Sequence, residues 1–163
     1  GVDPRAMTME ITESTAMTDP ERTQRILSEL HAWGLPLAID DFGTGYSSLE
    51  RLRELPVDEV KIDKSFIQGV GSSINDVAIV TATIELARSL GLRVVAEGVE
   101  VAEVWQALVD LGADTAQGYF LSRPMPAEAT LTWLEQAGLT SREAEAPNGR
   151  PASCEGVPGY GLA

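Results

Sequence analysis

The sequence is short of sulfur, imidazole and positive charge. It has one cysteine, Cys154, and one histidine, His31. A single cysteine excludes an intramolecular disulfide framework and fits a reducing compartment. So few soft donors also leave zinc without its usual ligands. Only 12 lysines and arginines face 25 acidic residues, for a net charge of −13. A polyanion binder needs a basic face, so non-specific binding to a DNA or RNA polymer or to an anionic membrane is excluded. If the ligand is a phosphate, metal ions must supply the positive charge. No apolar run is long enough to cross a bilayer, and the N-terminus lacks the basic-then-apolar layout of a signal peptide, so the expected location is cytoplasmic. Aromatics make up 6% of the chain. Trp33, Trp105 and Trp133 fall at core-like helix positions and read as packing residues, whereas His31 reads as exposed.

What the chain does have is alternation. With 163 residues, 44% of them hydrophobic, it can bury the core of one globular domain. Residues 7–12 read as a strand. Thr18-Asp19-Pro20-Glu21 then opens a helix carrying Ile26, Leu27, Leu30 and Trp33 on one face, which Gly34 stops. A strand from Leu37 to Asp41 leads into a glycine turn and a short helix through Leu49, Leu52 and Leu55. Val57 to Ile62 is a third strand, followed by Asp63-Lys64-Ser65-Phe66 and a loop over Gly69 to Ser73. Asn75-Asp76 can cap a longer helix with Val77, Val80, Ile84, Ala87 and Leu90 on its apolar positions. Beyond Gly91, Leu92 to Ala96 is a fourth strand, Val101 to Leu111 a helix closed by Gly112, and Asp114 to Gln117 a fifth strand. Pro126 to Gln136 is a last helix with Leu131 and Leu134 inward. From about Thr140 the composition turns to Pro, Gly, Ala and Glu without periodicity, which predicts a disordered tail over 139–163 after a domain over 1–138.

Strict strand–helix alternation predicts an α/β fold with a parallel sheet. Polar residues end every strand. A doubly wound sheet would concentrate them at one switch point, whereas a barrel gathers all strand ends around one axis. The expected fold is therefore a TIM-like (β/α) barrel, of which the chain carries only the last five or so β/α units, since eight need about 200 residues.

The residues at successive strand ends are Glu10 and Glu13, Asp40 and Asp41, Lys61 and Asp63, Glu97 and Glu100, and Gln117. Oxygen donors in this number suit magnesium, manganese or calcium. Neighbours on a strand point to opposite faces, so Asp40 and Asp41 can share a site only where the strand ends and the backbone turns. Gly43 and Gly45 supply that turn. With Asp40 bridging two ions and Asp41 and Glu10 each holding one, the chain has the parts of a two-metal phosphoryl hydrolase, in which Lys61 holds the water or a phosphate oxygen. Simpler roles remain open for several residues. Glu13 and Glu100 also suit helix N-termini. Asp63 suits a solvated turn, Gln117 a hydrogen-bonded strand end, and Arg123 a surface ion pair.

The stretches MEITES, IDDFGTGYSSL, VDEVKIDKSF, VVAEGVE and QGYFLSRP, in this order, resemble the EAL domain family over roughly residues 1–138. Active members of that family hydrolyse the bacterial second messenger cyclic di-GMP to linear pGpG. The resemblance implies metal-ligand roles for Glu10, Asp40 and Asp41, and a magnesium- or manganese-dependent two-metal site that calcium inhibits. It implies that Lys61 lies beside the nucleophilic water and that Glu97 lies close to metals and water. Glu13 would anchor the catalytic loop that runs from Phe42 to Ser48. Asp63, Glu100, Gln117 and Arg123 would border the substrate or support those that do. The intact domain is expected to be a homodimer.

The family's Glu-Ala-Leu tripeptide and an asparagine on the following strand are both absent from the sequence. The chain is therefore expected to be the C-terminal portion of such a domain, inactive or poorly folded alone because an opened barrel exposes strand edges. Two rival readings are a degenerate receptor that binds cyclic di-GMP without cleaving it, and a dimerisation scaffold. Retention of Glu10, Asp40, Asp41 and Lys61 argues against the receptor, which has no need of them.

Overall fold

Five strands follow one another across a single parallel sheet in chain order: β1 Met9–Thr12, β2 Leu37–Phe42, β3 Glu59–Ile62, β4 Arg93–Glu97 and β5 Thr115–Gln117. The order never reverses, so the described strands contain no switch point and lie like consecutive staves of a barrel. The computed structural model describes residues 1–45 and 49–137, and the tail expected over 139–163 lies outside them. The chain divides into two compact units, Gly1–Leu121 and a second beginning at Ser122. Among the described residues no helix is long and apolar enough to cross a membrane.

The helices are α1 Glu13–Thr18, α2 Pro20–Ala32, α3 Leu49–Glu54, α4 Lys64–Ile67, α5 Ile74–Leu90, α6 Ala102–Leu111 and α7 Ala127–Gln136. Asp19 caps α2 by accepting from the Arg22 amide, as its place before Pro20 predicts. Two short helices have no counterpart in the sequence reading. Thr12 caps α1 through the Thr15 amide, and Asp63 caps α4 through the Ser65 amide. Each is too short to show a period, so the cap residue alone could have announced it. The cap of α5 is Ser73 rather than Asn75-Asp76, with Asp76 donating its amide to the Ser73 hydroxyl.

Alternate strand residues face the helices. Leu37, Ile39 and Val60 pack with Ala16, Leu27, Phe42 and Leu52 in one cluster. Ile62, Val94 and Ala96 pack with Ile67, Val80, Ile84, Val104 and Leu108 in a second. Each fully buried aliphatic side chain of this kind stabilises by roughly 1.5–3 kcal/mol. Trp105 joins the second cluster and meets Phe120 at a ring-centroid distance of 5.9 Å.

Three packing expectations fail. Trp33 is 72% exposed and Ile26 is 42% exposed, because α2 turns Leu27 and Leu30 to the sheet and Trp33 follows the end of the helix as its C-cap. Leu131 of α7 is 65% exposed. β1 is an edge strand, so Met9 and Glu10 are exposed where a central strand would be buried. His31 is exposed, as expected, and lies 3.4 Å from Asp58.

Candidate metal centre

The strand residues that do not face the helices carry the charge. In register, Glu10 stands across from Ala38, Lys61 from Val95, and Glu97 from Gln117. Two charged layers stack on this face. Nearer the strand starts, Arg93 pairs with Glu59 at 3.0 Å. Nearer the strand ends, the Lys61 ammonium lies 2.8 Å from Glu10 Oε1, 3.2 Å from Asp40 Oδ1 and 2.6 Å from Glu97 Oε1. Lys61 is buried, and burial alone would push its pKa down. Glu10, Glu97 and Asp40 outweigh that and hold it above the ordinary lysine value.

Simple alternation would send Asp41 to the helix side of β2. Instead its backbone is left-handed, with φ at 55°, and the β2–β3 register breaks between Ile39 and Phe42. This kink keeps Asp41 with Asp40. Carboxylate oxygens of Asp40, Asp41 and Glu97 lie within 4.8 Å of one another. The Asp41 carboxyl is held above the usual carboxylate range by burial first, then by the charges of Asp40 and Asp63, with Lys61 opposing them.

The group fits a hard divalent cation. All its donors are oxygens, and Asp40 Oδ1 is buried without a hydrogen-bond partner although it is in ion-pair reach of Lys61. Glu10 meets the cluster through Lys61 and stands outside the Asp40–Asp41–Glu97 triad.

Glu13 is 2% exposed, and its Oε2 accepts from the amides of Gly43 at 2.9 Å and Gly45 at 3.2 Å. It therefore ties the start of α1 to the turn after Asp41. Asp63 accepts from the Ser65 amide and hydroxyl, and the hydroxyl bond chiefly holds its pKa below the usual range. Glu100 and Gln117 are not members of the triad, although Gln117 stands across from Glu97 in the sheet. They line a cavity of about 350 Å³ with Lys64, Gln68, Glu97 and Tyr119. Lys64, Gln68 and Tyr119 were not among the residues predicted for the site. Lys64 reads in sequence as half of a solvated turn, and no spacing signal marks the other two. Arg123 belongs to the second unit.

A sequence profile of the EAL domain matches residues 1–124. The chain belongs to the EAL domain family. This EAL chain is 48% identical over 130 residues to the bifunctional diguanylate cyclase/cyclic di-GMP phosphodiesterase MucR of Pseudomonas aeruginosa, a match covering 80% of the chain and 19% of MucR. It is 42% identical over 134 residues to the oxygen sensor protein DosP of Escherichia coli, covering 82% of the chain and 17% of DosP. Among solved structures, the PaMucR phosphodiesterase in complex with c-di-GMP superposes with a TM-score of 0.77 at 47% identity, covering 79% of this chain and 52% of that one. A manganese and cyclic di-GMP complex of Klebsiella pneumoniae BlrP1 gives 0.71 at 36% identity, covering 76% and 31%. The EAL chain thus spans about a fifth of the length of these curated relatives.

Proposed function

We propose that this EAL chain supplies part of the active site of a cyclic di-GMP phosphodiesterase, which opens one phosphodiester bond with water to give linear pGpG. The observation that carries the reading is the convergence of Asp40, Asp41 and Glu97 beside a buried Lys61, from three neighbouring strands. Similarity to a phosphodiesterase solved with c-di-GMP supports the choice of substrate.

In this scheme Glu10, Asp40 and Asp41 would hold magnesium or manganese. Such ions, when bound, lower the pKa of a bound water and offset charge growing on the phosphate. Lys61 orients the attacking water or a phosphoryl oxygen, and Glu97, hydrogen-bonded to Lys61, fixes where that ammonium points. The water oxygen forms the new P–O bond as the bond to one ribose 3′ oxygen breaks, and the proton passes to the departing alkoxide. Asp63, Glu100, Gln117 and Arg123 are assigned to the substrate border, and Glu13 to the loop. Alone, the chain is proposed to turn over slowly or not at all, because the tripeptide glutamate and the asparagine ligand are not among its residues. The intact domain is proposed to act as a homodimer.

The test is hydrolysis of cyclic di-GMP by the longer protein that carries this chain, followed by chromatography with magnesium, manganese or calcium. pGpG should accumulate with the first two. Calcium, with its looser geometry, should support little turnover. Equal rates with calcium and magnesium would count against the two-metal scheme.

A further inference from the structure

The mechanism leaves α4 without a task, yet this helix of Lys64–Ile67 touches both turns that deliver the acids. Gly43 stands two residues after Asp41 with φ at 96°, and a Cβ built on it would fall 3.1 Å from Phe66 Cε2. Gly98 directly follows Glu97 with φ at 70°, and its Cβ would fall 2.5 Å from Lys64 Cβ and 3.4 Å from Lys64 Cα. Both glycines adopt a left-handed backbone; a side chain at Gly98 would overlap Lys64, and one at Gly43 would press on the Phe66 ring. The helix itself is fixed. Ile67 is fully buried in the second core cluster, Phe66 packs against that cluster, and Asp63 caps the first turn.

We propose that α4 is a strut setting the position of Asp41 relative to Glu97, with Phe66 seating the Gly43 turn and Lys64 seating the Gly98 turn. Both are positioning residues. A shift of the helix displaces both turns together, since packed side chains transmit strain rather than absorb it. The purpose of that spacing rests on the phosphodiesterase reading, but the mechanical link does not.

The test uses the intact EAL domain that contains this chain, labelled with ¹⁵N, and follows amide resonances. Gly98→Ala should push on Lys64 and move the Gly43 amide, whose exchange with solvent should quicken by about tenfold or more as its bond to Glu13 loosens. Adding Lys64→Gly removes the obstructing Cβ and should return Gly43 toward its original position. Gly91→Ala is the control, because its added Cβ meets nothing within 4 Å. It should leave Gly43 and Gly98 unmoved. Perturbations by Gly98→Ala that stop at α4 in a folded chain would overturn the strut. If that variant does not fold, Phe66→Leu decides in the other direction: movement of the Gly98 amide, which Phe66 does not touch, supports the link, and a stationary one refutes it. A manganese titration of the unsubstituted intact EAL domain, read by the electron paramagnetic resonance of the free ion, separates the two readings. Lack of binding would sink the metal assignment and leave the strut standing.

Discussion

Glu97 Oε1 lies 2.6 Å from the Lys61 ammonium, and Asp40 Oδ1 lies 3.2 Å from the same nitrogen, so one buried cation joins acids of β2 and β4 across β3. Removing the cation leaves those acids facing one another. Lys61→Met should cost about 3 kcal/mol, the low end for breaking a buried pair because Glu10 is partly hydrated. Urea denaturation measures it. The Lys61 pKa is raised on folding, so its stabilisation is complete below the unfolded value of about 10.4 and fades as pH rises through the folded one. The variant should lose that alkaline component of the stability profile, and an unchanged profile would contradict the geometry.

Asp40→Asn, made in the longer protein, should lower turnover by more than about a hundredfold, which is what loss of even an outer partner of a metal ligand can cost. Steady-state hydrolysis of cyclic di-GMP checks it. Activity within a few-fold of the original would remove Asp40 from the metal site.

Asp41→Asn should do the opposite to stability. Folding raises the pKa of Asp41, so the ionised carboxylate destabilises the fold at neutral pH, and the penalty disappears as pH falls through the folded pKa. Asparagine removes the charge and tolerates the left-handed backbone. A thermal melt at pH 7 should rise and the gain should shrink in acid. A lowered melting temperature would mean that Asp41 is not held against its charge.

Glu13→Ala removes a buried acceptor for two backbone amides, those of Gly43 and Gly45. Each charge-assisted bond is worth roughly 1.5–3 kcal/mol, and water replaces part of it, so a loss of about 2–3 kcal/mol is expected. Faster hydrogen exchange at Gly43 should accompany the loss, and unchanged exchange would show that Glu13 does not hold the turn.

Gly118→Ala should be harmful although the residue carries no chemistry. Its Cβ would overlap the Val99 backbone, where Val99 donates to the Gln117 carbonyl and Phe120 donates to that of Val99. Overpacking of this kind costs about 1–3 kcal/mol. Chemical denaturation reads it, and a neutral result would mean that the Gln117–Phe120 segment lifts away freely.

Much of this protein is determined locally. The alternation of apolar runs with capped helices makes a parallel sheet legible, because periods of 2 and 3.6 residues and cap residues act over a few positions of chain. The acids at strand ends are legible for the same reason: a strand's polar terminus is a local feature. What the tertiary structure alone decides is which of those acids meet. Asp41 joins Asp40 through a left-handed kink and a register break that no periodicity announces. Glu10 meets the triad through Lys61, whereas Glu100 and Gln117 line an adjoining cavity that shares Glu97 with it. The exposure of Trp33 and the wedging of α4 against Gly43 and Gly98 likewise depend on residues tens of positions apart. Such contacts arise from packing between elements, and the sequence of each element by itself holds no record of its neighbour.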